Sequence, residues 1–198
     1  VELEFIIIND GSTDNSSKII REFEEIHSKI KLIDQENTGL TMALISGCQK
    51  AQGKFIARID AGDLCNPDRF LIQVDSLNNN PDIVLLGSYV NFIDINDHIF
   101  PSPYPNPPLS DKALKKKLEL ENTFAHSSVM FRKDAYSRVG GYRSFFQFTQ
   151  DYDLWWRISE IGKIGICPLV LSTLRYSNES ISINNRTAQI HYAALSST

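Results

Sequence analysis

Cysteine is scarce in this sequence, and its few cysteines form neither a metal-binding nor a disulfide pattern. The three are Cys48, Cys65 and Cys167, and no Cys-x-x-Cys pair occurs. An odd number of separate cysteines favours free thiols in a reducing, cytoplasmic setting over a disulfide-stabilised secreted fold. Cys48 lies in an apolar helical pattern and Cys167 in an apolar strand, so we predict that both are core residues.

Long apolar runs and the common phosphate-binding loops are also missing. No stretch of about 18 or more apolar residues occurs, so the sequence predicts no membrane-spanning helix. The chain has neither Gly-x-Gly-x-x-Gly nor the P-loop pattern, which argues against a dinucleotide-binding domain and a P-loop NTPase. A net charge of -4 argues against nucleic acid as the main partner. The 198 residues are enough for one domain with its own core.

What is present is an alternation of strand and helix patterns. Apolar runs that end in turn residues predict strands, and apolar residues at helical spacing predict the helices between them. The strands are expected at residues 3–8, 31–34, 55–59, 83–86 with 89–93, and 164–174, and the helices at 19–30, 40–51, 67–77, 111–121 and 150–161. This order predicts an α/β fold with a mostly parallel central sheet and helices on both faces.

Acidic residues follow two of the predicted strands. Asp10 comes directly after the first strand, and Asp60 and Asp63 follow the strand at 55–59. Ligands of such sheets collect at the carboxyl ends of the strands. Carboxylates there can accept hydrogen bonds from a nucleobase or ribose, or hold Mg²⁺ or Mn²⁺ through oxygen ligands. The alternative is that both segments are ordinary turns and helix caps.

A third acidic residue begins a predicted helix in the second half of the chain. Asp151 lies where free backbone N–H groups and the helix dipole keep a carboxylate ionised, so it can act as a general base. The alternative is a simple N-terminal helix charge. In the same helix, Trp155 is predicted to be core, and Trp156 is a candidate for lining a sugar site.

The second half has three further features: a proline-rich segment, the histidine at position 126 and a basic run. The proline-rich segment 101–108 is a stiff connector. His126 is either a structural hydrogen-bonding residue or a ligand. The basic run 115–117 is either a solvated helix face or a contact for anionic lipid head groups.

Each motif is weak alone, but their order and spacing resemble the family 2 glycosyltransferases. The matching stretches are FIIINDGSTDNS, ENTGLTMALISGCQKAQGKFIARIDAGDLCNPDRFLIQVDSL, FAHSSVMFRKDAYSRVGGYR, QDYDLWWRI and LRYSNESIS, from residue 3 to about 183. The likeness is greatest to bacterial enzymes of surface-polysaccharide and lipopolysaccharide synthesis. It implies a single GT-A domain over residues 1–198. It also implies that a first strand and helix of roughly 30 residues, one βα unit by size, precede the sequence.

The resemblance implies transfer of a sugar from a nucleotide-diphosphate donor to an acceptor hydroxyl, usually with inversion. Residues 1–100 would bind the nucleotide sugar and 101–198 the saccharide or lipid-linked acceptor, in the cytoplasm or at the inner face of the membrane. The implied roles are base for Asp151, nucleotide-sugar ligands for Asp10, Arg58, Asp60 and Arg175, and ligands of Mn²⁺ or Mg²⁺ for Asp60 and Asp63.

The chain departs from the family pattern at three positions. Gly62 replaces the third-position carboxylate that usually holds the metal, Ser177 replaces a histidine often placed near the diphosphate, and Gln150 replaces the glutamate before Asp151. Two alternatives follow: a GT-A-like domain that binds a nucleotide or partner without catalysis, and a sugar nucleotidyltransferase.

Overall fold

A computed structural model describes residues 2–176 of the chain. The weak helical pattern predicted from Asn178 onward, and the Ser177 substitution, lie outside the described residues. The described residues form eight strands: β1 (Phe5–Asp10), β2 (Ile30–Gln35), β3 (Phe55–Ala57), β4 (Leu64–Cys65), β5 (Ile83–Ile93), β6 (Ile99–Pro101), β7 (Met130–Arg132) and β8 (Lys163–Arg175). Within the same residues there are six α-helices: α1 (Ser16–Ile26), α2 (Leu40–Lys50), α3 (Arg69–Asn79), α4 (Asp111–Leu118), α5 (Lys133–Arg138) and α6 (Gln150–Ser159).

The α/β fold predicted from the sequence is confirmed, but the strand directions are mixed. β1 and β2 form one parallel pair, and the larger sheet has the order β3-β7-β5-β8-β4, with β6 beside β5. Among the neighbouring strands of that sheet, β5 and β8 pair in parallel, whereas β7 pairs antiparallel with both β3 and β5, and β4 and β6 also pair antiparallel with their neighbours. The expectation of a mostly parallel sheet is therefore wrong, because the short strand β7 enters between two strands of the first half.

Helices cover both faces of the larger sheet. Leu85 of β5 packs in one apolar cluster with Trp155 of α6, and its neighbour Leu86 packs in a second cluster with Leu77 of α3. Successive residues of a strand point to opposite faces, so α6 and α3 lie on opposite sides. Trp155 is fully buried, which confirms it as a core residue.

The first strand is less buried than its apolar sequence predicts. β1 pairs with β2 along one edge, with Phe5 opposite Ile30, and no strand of residues 2–176 pairs with its other edge. Phe5 is 44% exposed and Ile26 of α1 is 75% exposed. The partial exposure of these side chains accompanies a strand that is paired along one edge only within residues 2–176.

The cysteines are free throughout the described chain, but only one of the two predicted core cysteines is fully buried. Cys48 is buried, while Cys167 is intermediate. Burial raises the pKa of Cys48 to about 11, so its thiol is inert at neutral pH. No helix among residues 2–176 has the length and apolar character needed to cross a membrane.

Candidate active site

The acidic loop after β3 contains an ion pair within the chain. Arg58, whose side chain is only 8% exposed, pairs with Asp60, which is 48% exposed. The pair is bidentate: Nη1 of Arg58 donates to Oδ2 of Asp60 at 2.5 Å, and Nη2 donates to Oδ1. Bidentate geometry fixes both side chains. The predicted nucleotide-sugar ligand Arg58 is thus largely buried against Asp60, and Asp60 is the more exposed member of the pair.

Ser127, in the segment just before β7, holds this pair in place. Its Oγ accepts hydrogen bonds from Nη1 of Arg58 at 3.1 Å and from the backbone N–H of Asp60 at 3.0 Å. The same hydroxyl lies 3.2 Å from Oδ2 of Asp60, to which it can donate. Ser127 is almost fully buried, so it acts as an internal support of the loop. Nothing in the sequence indicates this role except the family motif that contains Ser127.

Arg175, at the end of β8, closes the other side of the loop. Its backbone N–H donates to Oδ1 of Asp63 at 2.8 Å, and its Nε donates to the carbonyl of Gly62 at 3.1 Å. Its Nη1 also contacts Oδ1 of Asp97 at 3.0 Å. The guanidinium of this predicted nucleotide-sugar ligand is therefore engaged with the acidic loop and with the turn between β5 and β6.

Gly62 and Asp63 are shaped by these contacts. Gly62 has a φ of +94°, a conformation that favours glycine. Burial raises the pKa of Asp63, and the nearby charge of Asp60 adds to this effect, while hydrogen bonds from Ser127 and Arg175 oppose it. Asp63 is thus a partly desolvated carboxyl whose hydrogen-bond partners are Ser127 and the backbone of Arg175.

Asp10 lies at the carboxyl end of β1, as predicted, and faces the start of α2. Its Oδ1 accepts from Nε2 of Gln35 at 2.7 Å and from the N–H of Thr38 at 3.0 Å, and its Oδ2 accepts from the N–H of Gly39 at 2.9 Å. Burial would raise the pKa of Asp10, but these hydrogen bonds together lower it. Asp10 is therefore ionised and fixed in orientation, as a nucleobase acceptor must be.

Asp151 begins α6 and accepts a hydrogen bond at Oδ2 from Nδ2 of Asn122, at 2.7 Å. Burial raises its pKa, although the backbone N–H of Tyr152, Asn122 and the positive charge of Arg58 pull in the opposite direction. The predicted effect of the helix start is present in the hydrogen bond from the backbone N–H of Tyr152, but burial is the larger influence and the pKa is raised overall. A raised pKa makes this carboxylate a stronger base than a solvated aspartate.

Asp153, two residues further, is an internal structural residue. It is 1% exposed and pairs with Nη2 of Arg143 at 2.7 Å and with Nη2 of Arg157 at 2.5 Å. Arg157 also donates to the carbonyls of Val139 and Gly141. This group ties α6 to the glycine turn before it, which holds the helix that carries Asp151.

His126 connects the acidic loop to α6. Its Nε2 lies 2.8 Å from the hydroxyl of Tyr142, and its ring stands edge-on to Trp155 with centroids 5.6 Å apart. Burial lowers the pKa of His126 well below its usual value, and the charge of Arg58 adds to this shift. These contacts favour the structural interpretation of His126. Trp156, the candidate for lining a sugar site, packs partly buried against the core.

A buried polar pair in α3 was not identified from the sequence. Arg69 and Gln73 are both fully buried. Nη2 of Arg69 donates to the carbonyls of Arg58 and Val129, and Nε2 of Gln73 donates to the carbonyl of Ser128 at 2.8 Å. They thus hold the end of β3 beside the segment that carries Ser127. Their spacing of four, continued by Leu77, places them on the inner helix face and could have indicated this burial.

The Asp10 side and the Asp151 side of the site are joined by one further contact. Thr41, in the first turn of α2, donates from Oγ1 to the carbonyl of Phe146 at 2.7 Å. Phe146 lies in the loop that leads into α6. All three acidic segments are therefore connected through the fold, by Ser127 and His126 on one side and by Thr41 on the other.

The acidic loop does not fit a tightly held divalent cation. Mg²⁺ and Mn²⁺ need several free oxygen ligands, whereas both oxygens of Asp60 accept from Arg58, and Oδ1 of Asp63 accepts from Arg175. The third position is Gly62, which has no side chain. Within residues 2–176, no group of three or more His, Cys, Asp or Glu side chains is placed to hold a metal ion.

Comparison with solved structures identifies the fold. The mannosyltransferase PcManGT from Pyrobaculum calidifontis, solved with GDP-Man and Mn²⁺, superposes with a TM-score of 0.70 at 18% identity, over 98% of this chain and 55% of that one. S. aureus TarS 1–349, solved with UDP-GlcNAc, superposes with a TM-score of 0.73 at 12% identity, over 98% of this chain and 57% of that one. The fold is the predicted GT-A fold.

Sequence comparisons identify the family. The amylovoran biosynthesis glycosyltransferase AmsE of Erwinia amylovora is 28% identical over 181 residues, which are 90% of this chain and 66% of AmsE. The O-antigen biosynthesis glycosyltransferase WbnJ of Escherichia coli is 31% identical over 186 residues, 93% of this chain and 67% of WbnJ. The chain thus spans about two thirds of each relative. The family model for glycosyl transferase family 2 matches residues 2–140, and the chain belongs to this family.

Proposed function

We propose that this chain forms most of the catalytic domain of an inverting glycosyltransferase, which moves a sugar from a nucleotide-diphosphate donor to an acceptor hydroxyl. One observation carries the proposal beyond family membership. The donor-side loop and the base-bearing helix share one support, because Ser127 bonds to Asp60 while the adjacent His126 packs on Trp155 of α6. A site with this construction can hold donor and acceptor against each other.

On the donor side, we assign hydrogen-bond acceptance to Asp10 and Asp60. Asp10 is held by the N–H groups of Thr38 and Gly39 and keeps lone pairs for an imide N–H of a nucleobase. Asp60 is half-exposed above Arg58 and can accept from ribose or sugar hydroxyls. Each carboxylate carries about four lone-pair sites, so these internal bonds leave capacity for a ligand.

On the acceptor side, Asp151 is the general base. Its carboxylate takes the proton of the acceptor hydroxyl while that oxygen forms a bond to the anomeric carbon of the donor sugar. The bond from the anomeric carbon to the diphosphate oxygen breaks, and the nucleotide diphosphate leaves with that electron pair. Attack from the side opposite the leaving group inverts the anomeric centre. The raised pKa of Asp151 suits this role.

The acceptor and the setting follow the relatives. AmsE and WbnJ are named for amylovoran and O-antigen biosynthesis, so we assign this chain to bacterial surface-polysaccharide synthesis, with residues 1–100 binding the donor and 101–198 the saccharide or lipid-linked acceptor. Contact with the inner face of the membrane is part of the proposal. On α4, Lys115 and Lys117 form ion pairs with Asp111 and Glu121, which leaves Lys116 as the exposed charge for lipid head groups.

The test is calorimetric titration of the chain with UDP-, GDP- and dTDP-sugars, followed by product analysis with candidate acceptors. We expect one donor to bind, and Asp151→Asn to keep donor binding while transfer is lost. Asp75→Asn, an exposed acid on α3, is the matched control and should behave as the wild type. Full transfer by Asp151→Asn would assign the base to another residue, and no donor binding by folded protein would refute the proposal.

A further inference from the structure

The oxygen atoms of the acidic loop are largely committed to partners inside the chain. At Asp60, Arg58 occupies one lone pair on each oxygen, and Ser127 lies within hydrogen-bond distance of Oδ2. Of about four lone-pair sites on a carboxylate, two accept from Arg58, and the Ser127 hydroxyl is in reach of a third. A cation bound at Asp60 must share this group with a guanidinium or displace it.

The rest of the loop offers little in compensation. Oδ1 of Asp63 accepts from the backbone of Arg175, and the carbonyl of Gly62 accepts from Nε of the same residue. Gly62 has no side chain to act as a ligand. The third position of the motif therefore offers no side-chain ligand, and its carbonyl oxygen already accepts one hydrogen bond from Arg175.

Positive charge is already built into the loop. The side chain of Arg58 is 8% exposed, and its position is fixed by Ser127. A guanidinium that lies on Asp60 supplies in fixed form part of the charge that a divalent ion would bring. A second cation placed close to it meets repulsion that the protein interior screens weakly.

We infer that Arg58 takes the place of a resident cation in this loop, so that the chain binds a nucleoside diphosphate without depending on Mn²⁺ or Mg²⁺. The nucleotide part of this inference rests on the proposed function. In this arrangement the carboxylate of Asp60 accepts hydrogen bonds from hydroxyl groups of the donor and does not coordinate a metal ion.

The primary experiment measures UDP, GDP and dTDP binding by calorimetry in EDTA and in excess Mn²⁺, after subtraction of the Mn²⁺ that the nucleotide itself binds. We expect dissociation constants within about fivefold of each other, below the range that marks coupled sites. Nucleotide binding that is about tenfold or more tighter with Mn²⁺, and lost in EDTA, would overturn the inference.

Two variants test the assigned cause. Gly62→Asp supplies the missing carboxylate, and Gly62→Asn reproduces its size and backbone strain without the charge. A Cβ at this position makes only ordinary contacts, the nearest being Cδ of Arg175 at 3.6 Å. We expect nucleotide binding to become Mn²⁺-dependent in Gly62→Asp but not in Gly62→Asn. If nucleotide binding already depends on Mn²⁺ in the wild type as strongly as in Gly62→Asp, the inference is contradicted.

Titration of Mn²⁺ into the protein without nucleotide, followed by electron paramagnetic resonance, separates this inference from the proposed function. If none of UDP, GDP and dTDP binds in any buffer, the proposed function fails, and the metal titration still decides the inference. No saturable Mn²⁺ binding by the wild type supports it, and saturable binding in the micromolar range refutes it. Arg58→Gln, checked for folding by circular dichroism, should gain Mn²⁺ affinity because it frees Asp60.

Discussion

Asp151 and Asp153 stand two residues apart in one helix, and we predict that their amide variants fail in opposite ways. Asp151 is partly exposed and contacts Asn122, whereas Asp153 is 1% exposed and pairs with Arg143 and Arg157. Asp151→Asn should lose transfer and keep its stability. Asp153→Asn should lose stability and keep the transfer rate per folded molecule.

The magnitude for Asp153→Asn follows from its two partners. The side chain of Arg143 is 50% exposed, so this pair contributes little, while that of Arg157 is 16% exposed. Breaking a buried pair leaves an uncompensated charge and costs about 3–5 kcal/mol. Arg157 retains its carbonyl partners at Val139 and Gly141, so we expect about 3 kcal/mol. With an m-value of about 2 kcal/mol/M, the urea midpoint falls by about 1.5 M.

The magnitude for Asp151→Asn concerns rate. A positioned general base contributes about 10²- to 10⁴-fold, and we expect a loss of this size in single-turnover transfer. Since the folded-state pKa of Asp151 lies above its ordinary value of 3.8, ionisation disfavours the folded state as pH rises through that range. The amide variant does not ionise, so its stability relative to the wild type should increase from acid to neutral pH.

The assay is urea unfolding of both variants by circular dichroism, beside rates normalised to folded protein. An Asp153→Asn midpoint equal to that of the wild type would refute the interpretation of the buried ion pair. An Asp151→Asn variant that is strongly destabilised, with unchanged rate per folded molecule, would refute the separation of roles.

Three further predictions concern other parts of the site and the core. Asp10→Asn should weaken nucleotide binding in calorimetry. Because its hydrogen bonds lower the pKa of Asp10, the wild type should be more stable than this variant at neutral pH and should lose that advantage as pH falls through the lowered pKa. A stability advantage that persists in acid would contradict this. Gly87→Ala places a Cβ 2.7 Å from Cδ1 of Phe124, so thermal or urea unfolding should show a loss of about 1–3 kcal/mol; an unchanged midpoint would mean that the core yields there. Arg175→Ala removes a partly exposed ion pair and should cost under about 1 kcal/mol, yet weaken donor binding because the acidic loop loses its support; unchanged donor affinity would show that the loop holds without it.

The positions of the acidic residues could be predicted because they depend on local pattern. Apolar runs followed by turn residues located Asp10 and the loop of Asp60 and Asp63, and helical spacing placed Asp151 at a helix start and Trp155 in the core. These features repeat within a few residues along the chain. The alternation of strand and helix that identified the α/β class is of the same kind.

The partners of these residues could not be predicted, because each lies far away in sequence. Ser127 is 69 residues from Arg58, and Arg175 is 113 residues from Gly62. No periodicity reports such pairings, since they depend on which strands become neighbours in the sheet. The family resemblance predicts that Arg58 and Arg175 bind the nucleotide sugar, but the structure pairs both with groups of the protein itself.

The sequence by itself thus determined the family, the order of strands and helices and the acidic groups available for chemistry. The tertiary structure alone decided which of those groups are free to act. It buried Asp153 in ion pairs, left Asp151 at the edge with a raised pKa, and placed Arg58 on Asp60. The physical reason is that hydrogen-bond capacity and desolvation belong to a residue's surroundings in space, which packing across the sheet creates.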